Sequence, residues 1–184
     1  MVYPPSDDTF LLLECVDQIN QQLEISIDIG TGTGVIARSL ASKSKYVIAT
    51  DISPEAIETA KSLTKEAKIS EKIDFLIADL LCPFKERIRA DIITFNPPYL
   101  PSEGKYNEKT WCGGPTGREI TIRFLEQLAK TNFRICFLVQ SSLSNIERIK
   151  NVVKEMGLEC FEIAKKQLFF EELVVFKIVK RDHS

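Results

Sequence analysis

The sequence predicts an α/β fold: a mostly parallel, Rossmann-like sheet of seven strands, helices on both faces, and an antiparallel hairpin at its C-terminal end. Three observations carry this. Short apolar, β-branched runs alternate five times with helical patterns, the signature of parallel strands joined by crossover helices. The first crossover opens in a glycine loop, Gly30-Thr31-Gly32-Thr33-Gly34. The last two strand patterns, Leu158 to Ile163 and Leu173 to Ile178, have no helical pattern between them and pair most simply as a hairpin.

Taken in order, Ser6 is a suitable N-cap, and Asp7 and Asp8 suit the positive end of a helix dipole. Leu12, Val16, Ile19 and Leu23 follow at helical spacing. Ile25 to Ile29 reads as a strand running into the glycines, and Val35 to Ala41 as the next helix. Tyr46 to Thr50 is strand-like and stops at Asp51. Ser53-Pro54-Glu55 supplies an N-cap, an N1 proline and a first-turn acid. Ala56, Ala60, Leu63 and Ala67 form the buried stripe of the helix that follows. Ile73 to Ile77 is the third strand, ending at Asp79, and Asp91 to Phe95 the fourth. Residues 100–117 are rich in glycine and read as loop. Thr121, Phe124, Leu125 and Leu128 mark a helix, and Ile135 to Val139 a fifth strand. Ile146, Ile149, Val153 and Met156 mark another helix, with Gly157 as its left-handed cap. Without repeats, low-complexity segments or linkers, residues 1–184 are expected to form a single domain.

Composition narrows the function. The 24 basic and 26 acidic side chains give a net charge of −2, with Lys and Arg spread along the chain. This argues against a dedicated duplex-DNA surface and makes nucleic acid a poor candidate partner. The five cysteines are odd in number and never spaced as CxxC, which argues against a disulfide framework or a zinc site. No metal site is expected. The N-terminus, Met1-Val2-Tyr3-Pro4-Pro5, has no signal-peptide features, and no apolar run approaches the ~20 residues that span a membrane. A soluble, cytoplasmic protein without membrane contact is the expectation. The single histidine, His183, lies in a charged tail and reads as a solvated terminal residue.

The chemistry concentrates at strand ends. The strand Asp91 to Phe95 runs directly into Asn96-Pro97-Pro98-Tyr99. Two prolines fix φ and remove two backbone donors, so neither sheet nor helix continues. An Asn side chain, proline carbonyls and an aromatic ring remain, a set able to hold a planar –NH2 group. In the glycine loop, Gly30 and Gly32 let backbone N–H groups approach a ligand closely. Val35 stands where a dinucleotide fingerprint wants its third glycine, which weakens a nicotinamide or flavin reading. Asp28 lies in the first turn, Asp51 caps the second strand and Asp79 follows the third. Such acids also cap helices and turns. Across the carboxyl ends of a doubly wound sheet, however, they suit an ammonium group, a ribose diol and an adenine amine respectively. Those three moieties together describe S-adenosylmethionine.

The chain resembles the class I S-adenosylmethionine-dependent methyltransferases of the HemK type, which modify a glutamine side-chain nitrogen in translation release factors. It is most similar to their short archaeal and eukaryotic branch. The resemblance rests on four stretches: Val2 to Phe10, Asp28 to Gly34, Asn96 to Tyr99, and Trp111-Cys112-Gly113-Gly114-Pro115-Thr116-Gly117-Arg118. It implies that Thr9, Asp28, Gly30, Gly32, Asp51, Asp79 and Asn96 contact the cofactor, and that Asn96 through Tyr99 clamp the substrate amide. It further implies that a loop with Trp111 and Arg118 closes over the substrate, and that a Gly-Gly-Gln motif is the target. Asp28 stands where relatives often carry Glu. The additional N-terminal helical domain of the bacterial branch has no room before Tyr3. In this family the third strand lies at the sheet edge. Here Ile73, Phe75, Leu76 and Ile77 make that edge apolar, interrupted only by Asp74. The resemblance supplies a small zinc-binding activator protein as heterodimer partner for it; self-association is the alternative.

On this reading Asn96 Oδ1 and the Pro97 carbonyl each accept one amide N–H, Tyr99 stacks on the amide plane, and alignment and desolvation suffice without a general base. Adenine-N6 methylation of DNA or RNA uses the same tetrapeptide geometry but needs base flipping and a recognition region. Protein lysine methylation is a second alternative, and a catalytically silent scaffold a third.

Overall fold

The computed structural model describes residues 2–66, 69–84, 88–99 and 116–181. Helix α1 (Asp7–Asp17) precedes strand β1 (Leu23–Ile29). There follow α2 (Val35–Lys43), β2 (Ser44–Asp51), α3 (Pro54–Glu66), β3 (Ile73–Ile77) and β4 (Arg89–Phe95). The chain continues with α4 (Glu119–Leu128), β5 (Asn132–Ser141), α5 (Ile146–Glu155), β6 (Leu158–Gln167) and β7 (Glu172–Lys180). The strands form one sheet in the order β3-β2-β1-β4-β5-β7-β6. Strands β1 to β5 are mutually parallel. Strand β7 lies antiparallel between β5 and β6, so the predicted hairpin is present, with a bulge between Glu162 and Ala164.

The period-2 alternation of each strand sends side chains into two cores. On one face Cys136 and Leu138 of β5 and Val174, Phe176 and Ile178 of β7 pack with Phe124, Leu125 and Leu128 of α4 and Ile149, Val152 and Val153 of α5. On the other face Phe137, Val139, Leu173 and Val175 pack with Leu11, Leu12 and Val16 of α1 and Ile36 and Leu40 of α2. Phe124 and Phe176 are almost wholly buried, each stabilising the fold by about 1.5–3 kcal/mol through transfer from water. No helix among the described residues is long and apolar enough to cross a membrane.

Several local expectations change. Helix α1 stops at Asp17, and Leu23 opens β1, where it pairs with Ser44. Its helical spacing from Ile19 therefore yields to strand register. The Ser6 side chain makes no cap hydrogen bond; its backbone carbonyl accepts from the Phe10 N–H at 2.9 Å. On α3 the buried positions are Ala56, Ile57, Ala60 and Thr64, whereas Leu63 is only half-buried. Burial of Thr64 is tolerated because its hydroxyl donates to the Ala60 carbonyl at 2.7 Å. Ala67 and His183 lie outside the described residues. Ser53 does cap α3, accepting from the Ala56 N–H at 3.3 Å, and Gly157 has the expected positive φ of 73°.

Candidate active site

A cavity of about 890 Å3 opens at the carboxyl ends of β1 to β4, within the range of roughly 300–1,000 Å3 typical of small-molecule sites. Thr9, Asp28, Gly30, Gly32, Asp51, Asp79 and the whole tetrapeptide Asn96 to Tyr99 line it. Residues up to 90 positions apart in sequence thus converge because parallel strands end on one side of the sheet.

The glycine loop forms the floor. Gly30 has φ +64°, and a Cβ there would lie 3.3 Å from the Phe95 ring. The Gly32 N–H donates to Asp51 Oδ2 at 3.0 Å, and the Ser53 N–H donates to Asp51 Oδ1 at 2.9 Å. One carboxylate therefore ties the loop after β1 to the turn after β2, and each oxygen keeps acceptor capacity. Asp28 is only 3% exposed. Its oxygens accept from Thr31 Oγ1 at 2.7 Å and Thr94 Oγ1 at 2.8 Å. Burial pushes its carboxyl up to about 6; these hydrogen bonds oppose the shift, and the nearby Asp51 charge adds to it. Asp79 forms an ion pair with Arg123 Nη2 at 2.5 Å, on the wall where Arg123 and Ile120 of α4 also line the cavity. Arg123 escaped the sequence reading. It stands on the polar side of a helical pattern, 44 residues from its partner, and nothing local links the two.

At the opposite wall the tetrapeptide is held from α1. The Tyr99 hydroxyl donates to Asp8 Oδ2 at 2.9 Å, while Asp8 Oδ1 accepts from the Thr9 N–H at 2.6 Å and Thr9 Oγ1 at 3.1 Å. Thr9 Oγ1 in turn accepts from Asn96 Nδ2 at 3.5 Å. Asp8, expected only to complement the helix dipole, is 4% exposed and links the two halves of the site. Tyr99 is 8% exposed; burial, reinforced by the Asp8 carboxylate, drives its phenol above the ordinary range, so it stays protonated and donates. Two buried side-chain oxygens among the described residues lack a hydrogen-bond partner, Thr50 Oγ1 and Asn96 Oδ1. Only the second belongs to a residue lining the cavity. A buried acceptor left unpaired costs about 1–3 kcal/mol, so Asn96 Oδ1 is an unsatisfied acceptor on a residue of the cavity wall.

Arg118 is half-buried at the N-terminus of α4 and is not among the lining residues. Glu119 fixes this entry by accepting from Thr116 Oγ1 at 2.7 Å and from the Arg118 N–H at 3.2 Å. Trp111 lies outside the described residues. Among the described residues no cluster of His, Cys, Asp and Glu is arranged to hold a metal ion.

The cavity fits S-adenosylmethionine on its own chemistry: a glycine floor a Cβ would crowd, carboxylates spaced along successive strand ends, and an orphaned acceptor beside them. Comparison with known proteins agrees. The family described as methyltransferase small domain matches residues 7–111. The chain is 34% identical to Methyltransferase HEMK2 of Homo sapiens, over 97% of this chain and 90% of that protein. It is also 34% identical to a putative protein N5-glutamine methyltransferase of Methanocaldococcus jannaschii, over 95% and 89% respectively. Among solved structures, the E. cuniculi Mtq2–Trm112 complex, described as methylating the eRF1 termination factor, matches with a TM-score of 0.81. That match has 24% identity and covers 98% of this chain and 99% of the other. A ribosomal protein L11 methylase of Lactobacillus delbrueckii matches with a TM-score of 0.72 at 18% identity, covering 98% of this chain and 82% of the other.

Proposed function

The chain belongs to the methyltransferase small domain family, its fold is that of the class I enzymes and its methyl donor is S-adenosylmethionine; on that premise we propose that it methylates the side-chain amide nitrogen of a glutamine in a translation release factor. The observation that carries this is the unpaired, buried Asn96 Oδ1, on a residue that lines the cavity and precedes two prolines. Relatives named as glutamine methyltransferases and the termination-factor activity stated for the structural neighbour support the choice of substrate. On this reading the protein works in the cytoplasm.

Asp28 would hold the cofactor's ammonium group, Asp51 its ribose hydroxyls, and Asp79, shared with Arg123, its adenine amine. Thr9 and the backbone of Gly30 and Gly32 would complete the cradle. When bound, S-adenosylmethionine supplies a methyl group already activated by its sulfonium charge. The protein's share is orientation. An amide nitrogen is a weak nucleophile because its lone pair is delocalised into the carbonyl. Asn96 Oδ1 and the Pro97 carbonyl would each accept a hydrogen bond from one of its N–H groups, fixing the amide and turning the lone pair towards the donor side. The Tyr99 ring, anchored through Asp8, closes over the amide face and excludes water. Effects of this kind, preorganised acceptors and alignment, account for several kcal/mol of barrier lowering in enzymes. No side chain has to take a proton before the methyl group moves; after transfer the nitrogen is cationic and acidic and releases one N–H proton to solvent.

We propose a small, zinc-binding partner protein for the exposed apolar β3 edge; that the structural neighbour is described as a complex with a second protein, Trm112, supports a partner of some kind. The test is transfer of labelled methyl from S-adenosylmethionine to purified release factor, with and without that partner, against a substrate whose Gly-Gly-Gln glutamine is Asn. Label is expected on the Gln form alone. Asn96→Ala should lower kcat at least ~100-fold, the scale of losing one preorganised polar contact, with cofactor affinity changed only modestly. Equal loss of cofactor binding and turnover would make Asn96 chiefly a cofactor ligand. Intact cofactor binding without label on either factor would redirect the assignment to nucleic-acid or lysine substrates.

A further inference from the structure

The turn between β6 and β7 carries two adjacent phenylalanines, Phe169 and Phe170, exposed to 91% and 85%. The Leu168 N–H donates to the Glu171 carbonyl at 2.8 Å, so the two rings stand at the tip of a tight connection. Such positions favour Asn, Gly and Asp, and neither phenylalanine has a positive φ. Turn chemistry therefore gives no reason for them. Neither does packing, since the rings touch each other edge to face, with centroids 4.6 Å apart, and bury little else.

The hairpin is tied to α1 and to the end of β5. Lys166 Nζ donates to Asp7 Oδ1 at 2.8 Å, next to the Asp8 that anchors Tyr99. Glu171 accepts from the Ser141 hydroxyl, and the Glu172 N–H donates to Ser142 Oγ at 3.0 Å, which binds the hairpin to the end of β5. Leu168 packs on the core cluster that contains Tyr99. Leu143, in the turn beside Ser142, is exposed as well. The loops after β1, β2 and β3 are committed to the small-molecule cavity. The β5–β7–β6 half of the sheet adjoins β4, whose end carries Asn96, and contributes none of the described residues that line this cavity.

We propose that the Phe169–Phe170 tip is a docking element for the protein substrate, seating on an apolar depression of the folded factor beside the segment that enters the cavity. This rests on the reading of the site as a protein methyltransferase. It makes recognition depend on the factor's fold as well as on the methylated segment. Two adjacent, exposed aromatics are the composition of an interface anchor.

The test compares the wild-type chain with the Phe169→Ser/Phe170→Ser double variant and with Phe169→Ser alone, using intact release factor and a short Gly-Gly-Gln peptide. Cofactor binding by calorimetry serves as the check on folding. We expect KM for the intact factor to rise at least ten-fold in the double variant and less in the single one. The kcat, the peptide kinetics and cofactor affinity should stay as in wild type. An unchanged KM for the intact factor overturns the proposal. So does equal loss on peptide and intact factor, or a wild-type dimer by light scattering that the double variant dissolves. Failure of the wild-type chain to label either substrate with the small partner protein present instead removes the glutamine-methyltransferase reading, and the docking assignment with it.

Discussion

Asp28 carries the most informative charge in the site, because its carboxyl is buried against two hydroxyls and raised to about 6. The folded chain then holds a proton through a pH range in which the unfolded chain has released it. Its contribution to stability is therefore fully present below the ordinary value of 3.8 and is lost as pH rises through about 6. The cost of the ionised form is roughly 3 kcal/mol. A bound cation reverses that cost. Cofactor affinity, measured by calorimetry between pH 5 and 7.5, should rise as pH climbs to about 6 and level off above it. Asp28→Asn should weaken binding at neutral pH and flatten the profile; an unaltered profile would assign the titration to another group. The groups facing Asp28 are Thr31, Thr94 and Asp51. The residue itself was legible as an acid ending the first strand. Its protonation was not, since that comes from burial in the folded sheet, which no local pattern gives.

At the level of elements, β1 to β5 and their helices were readable from periodicity, and β3 was placed to the residue. The misreadings share one cause. Leu23, Asp8 and Arg123 each satisfied a local pattern, a helical stripe, a dipole and a polar helix face, while a distant partner set their role. Gly34 shows how tightly the elements are joined. It begins α2 with φ +76°, and a Cβ there would sit 3.0 Å from the Ala60 Cβ of α3. Gly34→Ala combines left-handed strain with a backbone-adjacent clash, so it should cost about 1–3 kcal/mol. For a chain of this length that lowers Tm by about 2–4 °C for each kcal/mol. Thermal unfolding would show it. An unshifted Tm would mean that α2 and α3 can separate freely.

Over the whole molecule, the sheet has two unlike ends. At one, β3 leaves Leu76 and Ile77 exposed to 39% and 55%, with Ile52 exposed nearby, an edge that solitary proteins usually blunt with charge or proline. Ile77→Lys should weaken binding of the small partner at least ten-fold in calorimetry while leaving Tm and cofactor affinity intact. A monodisperse chain with full activity alone would remove the need for any partner. At the other end, the hairpin clasps the first helix through Asp7 and Lys166, 159 residues apart. During synthesis at ~5–20 residues per second the hairpin leaves the ribosome roughly 8–30 s after the helix it must meet. The nucleotide cradle after β1, β2 and β3 can form in that interval. The Asp8–Tyr99 anchor lacks its full support until the last strands arrive, so a nascent chain gains a donor pocket before it gains a competent acceptor site.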